Sequence, residues 1–270
     1  MRTGRKDVWA SGDAYEPYVG RWSRLVARDF VDWLEVPAGR RWLDIGCGTG
    51  ALSQTILARA APQALMGVDP SEGFIAHARR VIDDTRAEFQ VGDAQSLPAD
   101  NQAFDVAVAG LVINFVPDMA RAAAEMVRVT RPGGTAAAYV WDYGGEMQMM
   151  RRFWDAAVAQ NPAALDKDEG RRFPVCQPEP LAALFKDAGL ANVEVRGIDV
   201  PTVFKDFDDY WTPFLGGQAP APGYCMALLE DRRAALRDRV RSTLPFRDDG
   251  SIHLIARAWA VRGTAGTDDR

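Results

Sequence analysis

Residues 43–50 read Leu-Asp-Ile-Gly-Cys-Gly-Thr-Gly, an apolar run that stops on glycines and gives way to the helix-forming stretch Ala51–Ala60. Glycine lacks Cβ, so the chain can turn sharply there and lie close against a ligand. A strand that ends in such a turn and feeds a helix opens a βαβ unit, and the following segments keep the alternation. Trp42–Ile45, Ala64–Val68, Glu88–Val91, Phe104–Ala109 and Thr135–Trp141 read as short apolar strands. The helices between them are Ala51–Ala60, a segment capped by Ser71 that runs to Val81, and Asp118–Thr130, halted by Pro132-Gly133-Gly134. Apolar strands alternating with helices imply a parallel sheet covered on both faces.

Tyr15, Tyr18, Trp22, Leu25, Val26, Phe30, Trp33 and Leu34 recur near the helical period until Pro37-Ala38-Gly39 breaks the pattern. Beyond the core, Leu181–Ala188 reads as a helix, with Val193–Val200 and Ile252–Val261 as strands. The chain thus divides into an N-terminal helical segment (1–40), a ligand-binding core (41–142), a helical insertion (143–177), a core helix and strand (178–200), a second insertion (201–250), a final strand (251–262) and a flexible tail (263–270). The insertions hold Met147, Phe153, Trp154, Tyr210, Trp211 and Phe214. Aromatic density of that kind argues against disorder and predicts a cap over a small apolar substrate.

Composition narrows the function. A net charge of −5 over 270 residues does not favour a grip on nucleic acid. Three cysteines, Cys47, Cys176 and Cys225, make no disulfide framework. The two histidines, His77 and His253, are far apart, and no CxxC occurs, so no metal site is expected. The polar start shows no secretory leader, and the run Val106–Val116 is well short of the ~20 residues that span a bilayer. A cytoplasmic enzyme without a membrane span is the expectation.

Gly46-x-Gly48-x-x-Ala51 also fits the relaxed dinucleotide fingerprint. Its neighbours tilt the choice. Asp44 precedes the loop, where a carboxylate would repel a diphosphate and attract an ammonium. Asp69 ends the second strand, placed for ribose hydroxyls, and Asp93 ends the third, near an adenine amino group. Three carboxylates around one crevice favour a cationic, adenosine-bearing ligand.

At these residues the chain resembles the class I S-adenosylmethionine-dependent methyltransferases. Asp44–Gly50 is similar to their first motif, Val68-Asp69-Pro70-Ser71 to the second-strand motif and Gly92-Asp93-Ala94 to the third. Phe104-Asp105-Val106 through Phe115-Val116-Pro117-Asp118, and Arg131–Gly134, resemble the fourth-strand region and the turn before strand five. The nearest subgroup in texture is the ubiquinone/menaquinone-biosynthesis-like enzymes of small molecules. The resemblance implies a Rossmann-like α/β sheet of seven strands, the last antiparallel, with S-adenosyl-L-methionine as cofactor. It implies that Gly46, Cys47 and Gly48 meet the methionine moiety through backbone and that Asp69 holds the ribose. By the same resemblance, Asp93, Ala94 and Pro70 surround adenine, Gly110 and Leu111 flank the cofactor, and Tyr18 and Trp22 close over it.

Methyl transfer from a sulfonium is an in-line displacement that needs neither metal nor covalent intermediate; positioning supplies much of the acceleration. Asn114, after the fourth strand, and Asp142 and Tyr143, after the fifth, are the candidates for orienting a small apolar or aromatic acceptor. The Asp/Asn-Pro-Pro-Tyr/Phe element of DNA and glutamine N-methyltransferases is missing; the equivalent stretch is Ala109-Gly110-Leu111-Val112. An NAD(P)-dependent oxidoreductase, a non-catalytic binder of the same cofactor, and pairing of the chain as a homodimer stay open at this point.

Overall fold

The computed structural model describes residues 20–217 and 219–266. Its strands are β1 (Arg41–Ile45), β2 (Ala64–Asp69), β3 (Ala87–Val91), β4 (Phe104–Gly110), β5 (Thr130–Trp141), β6 (Leu190–Phe204) and β7 (Ile252–Ala265). They form one seven-stranded sheet in the order β3-β2-β1-β4-β5-β7-β6. The first five are parallel, with Ile45 opposite both Val68 and Ala109, and β7 runs antiparallel to β5. Leu43, Ile45, Val106–Ala109 and Ala136–Trp141 are buried. This is the cover on both faces that near-continuous apolar strands demand.

The described residues form two compact units. The first takes Ser23–Trp141, Val175–Ile198 and the chain from 258 on. Its helices include α2 (Ala51–Arg59), α3 (Glu72–Val81), α4 (Met119–Val129) and α7 (Pro178–Asp187), and most of α1 (Arg21–Leu34) belongs to it. Phe30 of α1 packs on Tyr139 of β5 with ring centroids 4.7 Å apart. Ser71 caps α3 by accepting the Phe74 N–H. The second unit takes Asp142–Pro174, Asp199–Arg257 and residues up to Trp22. It holds α5 (Gln148–Gln160), α6 (Glu169–Arg172), α8 (Phe207–Trp211), α9 (Pro220–Ala227) and α10 (Glu230–Thr243).

Three expectations need correction. Strand five begins at Thr130, before the Pro132-Gly133-Gly134 turn. Its register shifts against β4 between Phe104 and Val106, so the turn is an irregularity within the strand. β6 continues through Pro201 to Phe204, with Ile198, Val200, Thr202 and Phe204 buried in strict alternation. A proline is tolerated there because β6 is the edge of the sheet. Gly263 and Thr264, assigned to a tail, pair with Ala136 and Thr135 because β5 extends far enough to partner them. Tyr15 and Tyr18 lie outside the described residues.

Candidate active site

The site is built from the loop that leaves β1. Gly46, Gly48 and Gly50 have φ of 68°, 53° and 91°, backbone that disfavours any side chain. A Cβ at Gly46 would stand 2.5 Å from Val112 Cγ2, which fixes how closely this turn meets the segment after β4. Four of the loop's N–H groups are engaged. Gly46 and Cys47 both donate to the Val68 carbonyl, at 2.7 and 3.0 Å, and Gly50 donates to Cys47 O at 2.8 Å. Gly48 donates to Asp69 Oδ2 at 3.0 Å. A loop that cradles a diphosphate presents such N–H groups to it. Here those of Gly46, Cys47, Gly48 and Gly50 are taken up within the fold. The Cys47 side chain packs among Ile75, Ala78 and Phe89, and burial pushes its thiol far up.

Two carboxylates border the loop. Asp44 is buried; its Oδ2 accepts the Ser53 hydroxyl at 2.6 Å, and its Oδ1 has no hydrogen-bond partner. Burial, with a smaller push from Asp69, raises it to about 7. Asp69 Oδ1 accepts the Ser71 N–H at 2.9 Å, yet burial holds this carboxyl above its ordinary range too. Both groups accept hydrogen bonds from a hydroxyl or from backbone N–H groups. Two buried carboxylates close enough to repel make a site whose chemistry favours a cation.

Asp93 is exposed and acts on its own turn. Its Oδ1 accepts the Gln95 N–H at 2.8 Å, its carbonyl takes the Ser96 N–H at 3.0 Å, and Gln95 holds its carboxyl below the usual range. Pro70 is exposed and Ala94 half-buried beside these turns. After β4, a Cβ on Gly110 would meet Tyr139 Oη at 2.6 Å, and Leu111 takes φ 60° while its N–H reaches Tyr139 O at 2.8 Å. A branched side chain in left-handed backbone is strain held by its surroundings. Three residues on, in the turn Ile113–Phe115, Asn114 is 6% exposed, and neither its Nδ2 nor its Oδ1 has a partner. Leaving a buried polar group unpaired costs ~1–3 kcal/mol.

A family described as a methyltransferase domain matches residues 43–138, the stretch that carries this loop and both carboxylates. A 2-methyl-6-phytyl-1,4-hydroquinone methyltransferase of Synechocystis sp. is 30% identical over 229 residues, 76% of this chain and 70% of that protein. The chain belongs to the class I S-adenosylmethionine-dependent methyltransferases. An uncharacterized 37.1 kDa transposon protein of Streptomyces fradiae is 29% identical over 185 residues, which cover 62% of this chain and 53% of that one. Among solved structures, a phosphoethanolamine N-methyltransferase of Haemonchus contortus in complex with S-adenosyl-L-methionine matches with a TM-score of 0.56 and 17% identity, over 94% of this chain and 56% of that one. That likeness is one of fold.

The methyltransferase's cofactor is S-adenosylmethionine, and the first unit fits it: an unpartnered carboxylate oxygen for a cation and a second carboxylate for hydroxyls. The family match replaces the dinucleotide reading of the glycines. The remaining candidates lie in the second unit, where each has local work. Asp142 Oδ2 accepts the Glu146 N–H at 2.9 Å, and its carbonyl takes the N–H groups of Gly145 and Met147. Tyr143 packs on Phe173 at 5.8 Å, and its carbonyl accepts Arg151 at 3.0 Å. Trp22 is buried edge-on to Phe204 at 5.5 Å, with the Arg21 guanidinium over its ring; Tyr18 lies outside the described residues.

Phe153, Trp154, Tyr210 and Phe214, expected to line a cap, are fully buried in the second unit. Phe153 stacks on Phe214 at 4.5 Å, Tyr210 Oη donates to Met149 O at 2.7 Å, and the Trp154 indole N–H donates to Glu169. These rings are that unit's own core. Sequence reasoning missed Ser53 and Val112. A hydroxyl three residues inside a helix, nine after Asp44, was the available signal for the first. Among the described residues no cluster suits a metal, and no helix is long and apolar enough to cross a membrane.

Proposed function

We propose that this methyltransferase acts on a small, apolar or aromatic organic acceptor carrying one polar handle, with Asn114 orienting that handle. The observation that carries the reading is the Asn114 amide, buried after β4 with donor and acceptor both unused. Such an amide can take a hydroxyl or carbonyl, but it has no proton to give up or accept at neutral pH, so it orients and does not act as a base. The hydroquinone named for the Synechocystis relative is an acceptor of this type and supports the same class here.

When bound, S-adenosylmethionine supplies an electrophilic methyl group on a sulfonium. Asp44 is assigned to the cationic end of the cofactor, and Asp69 to the ribose hydroxyls. Asp93, Ala94 and Pro70 take the adenine side, and Gly110 and Leu111 the flank. The acceptor is a free small molecule in the cytoplasm, a reading that the chain's negative charge supports over nucleic acid.

The test is turnover of a panel of hydroquinones, phenols and amines, read as a one-methyl mass gain with matching release of S-adenosylhomocysteine. Methylation of the aromatic alcohols, lowered at least tenfold in kcat/KM by Asn114→Leu, supports the reading. Methylation confined to amines, or an Asn114→Leu variant with unchanged kinetics, contradicts it.

A further inference from the structure

Ser53 is buried in the first turn of α2, and its hydroxyl donates to Asp44 Oδ2 at 2.6 Å. The other oxygen, Oδ1, is buried without a partner. One side of the carboxyl is therefore fixed and the other left open. A carboxyl so enclosed resists ionising while nothing positive stands beside it, and it ionises readily once a cation does. The backbone N–H of Ser53 acts in the same sense as its hydroxyl, toward the charged form.

Resting on the cofactor assignment above, we propose that Ser53 is a positioning residue that aims Asp44 Oδ1 at the cationic end of the cofactor, so that docking expels one proton from Asp44 to solvent. The proton leaves the carboxyl, and the resulting carboxylate pairs with the incoming ammonium. No covalent bond to the cofactor forms or breaks.

The groups facing Asp44 decide the pH window. Asp69, at the end of β2, opposes its ionisation, and Ser53 on α2 favours it. The Cys47 thiol is held protonated by burial and by both carboxylates. β4 presents Val108 opposite Asp44 and brings no titratable group there. The free carboxyl stands at about 7. Below that pH the cofactor must displace a proton, so affinity falls as pH falls; above it the carboxylate is already formed and affinity levels off.

The experiment is calorimetric titration of the intact chain with S-adenosylhomocysteine from pH 6 to 8.5, in buffers of different ionisation enthalpy. The wild type is expected to bind ~10-fold more weakly at pH 6 than at pH 8 and to release close to one proton at pH 6. Ser53→Ala should move the profile to higher pH, and Ser53→Thr should restore it. Weaker binding with a flat profile and no proton release in Asp44→Asn supports the assignment to Asp44. Tight wild-type binding with a flat profile and no proton release overturns the proposal while leaving the cofactor assignment intact. A Ser53→Ala profile that coincides with the wild type also overturns it. Absence of binding at every pH overturns the cofactor assignment, and the proposal with it. The wild-type proton count stands even where a variant fails to fold.

Discussion

Each unit buries one carboxyl that its surroundings raise to about 7: Asp44 in the first and Glu169 in the second. Glu169 accepts the Trp154 indole N–H among packed aromatics. Asp44 accepts Ser53 and keeps an oxygen without a partner beside a loop of left-handed glycines. The same burial thus serves two ends. In the aromatic region, Tyr210 is matched on Met149 and Arg151 on Asp168, while Trp22 Nε1 and Thr202 Oγ1 have no hydrogen-bond partner. At the sheet edge, Asp44 and Asn114 hold unmatched polar capacity.

Gly46→Ala should break the first region outright. It forces a side chain onto φ 68° and into Val112, so cofactor binding should disappear, as read by titration with S-adenosylhomocysteine. Retained affinity would show that the loop does not meet the ligand.

Phe214→Ala should strike the second region alone. Removing a fully buried ring stacked on Phe153 costs ~3–5 kcal/mol, measured by urea unfolding. Intrinsic affinity of the folded protein for S-adenosylhomocysteine should stay within a few-fold.

Glu169→Gln sharpens the comparison through pH. The Glu169 carboxyl is raised in the folded state, so the unfolded chain ionises first. Its contribution is present below about 4.5 and is lost as pH rises through about 7. That loss is on the order of 3 kcal/mol, and the Gln variant should be the more stable protein at pH 8 and no more stable than wild type near pH 4.5. Equal stability of the two proteins at pH 8 would remove the parallel with Asp44.

The smallest expected effect is at Asn114. Replacing an unpartnered amide by Leu should leave stability unchanged or raise it by ~1–3 kcal/mol, whereas acceptor turnover drops. A stability loss instead would show that the amide already serves the fold.

The sequence made some of this plain. The loop was legible because Ile45 followed by glycines at 46, 48 and 50 leaves few alternatives to a strand, a turn and a helix. The end of β5 was legible, but not its start, since Pro132-Gly133-Gly134 reads as a break and is a bulge held against β4. Pro201 misled in the same way, because sheet-edge position is a property of the assembled sheet. Ser53 looked like any helix hydroxyl until the fold placed it against Asp44. Aromatic density in the insertions was visible, but whether rings face a substrate or one another depends on packing, and Phe153 and Phe214 face one another.

The central claim is that the edge formed by Asp44, Gly46–Gly50 and Asp69 takes a nucleoside ligand with a cationic end and rejects a diphosphate. The most direct measurement is paired titration at pH 8 with S-adenosylhomocysteine and with NAD, on the wild type and on Asp69→Ala. The account predicts micromolar binding of the first ligand, its loss in the variant, and no binding of NAD. Clear NAD binding, or S-adenosylhomocysteine affinity that Asp69→Ala leaves unchanged, would contradict it.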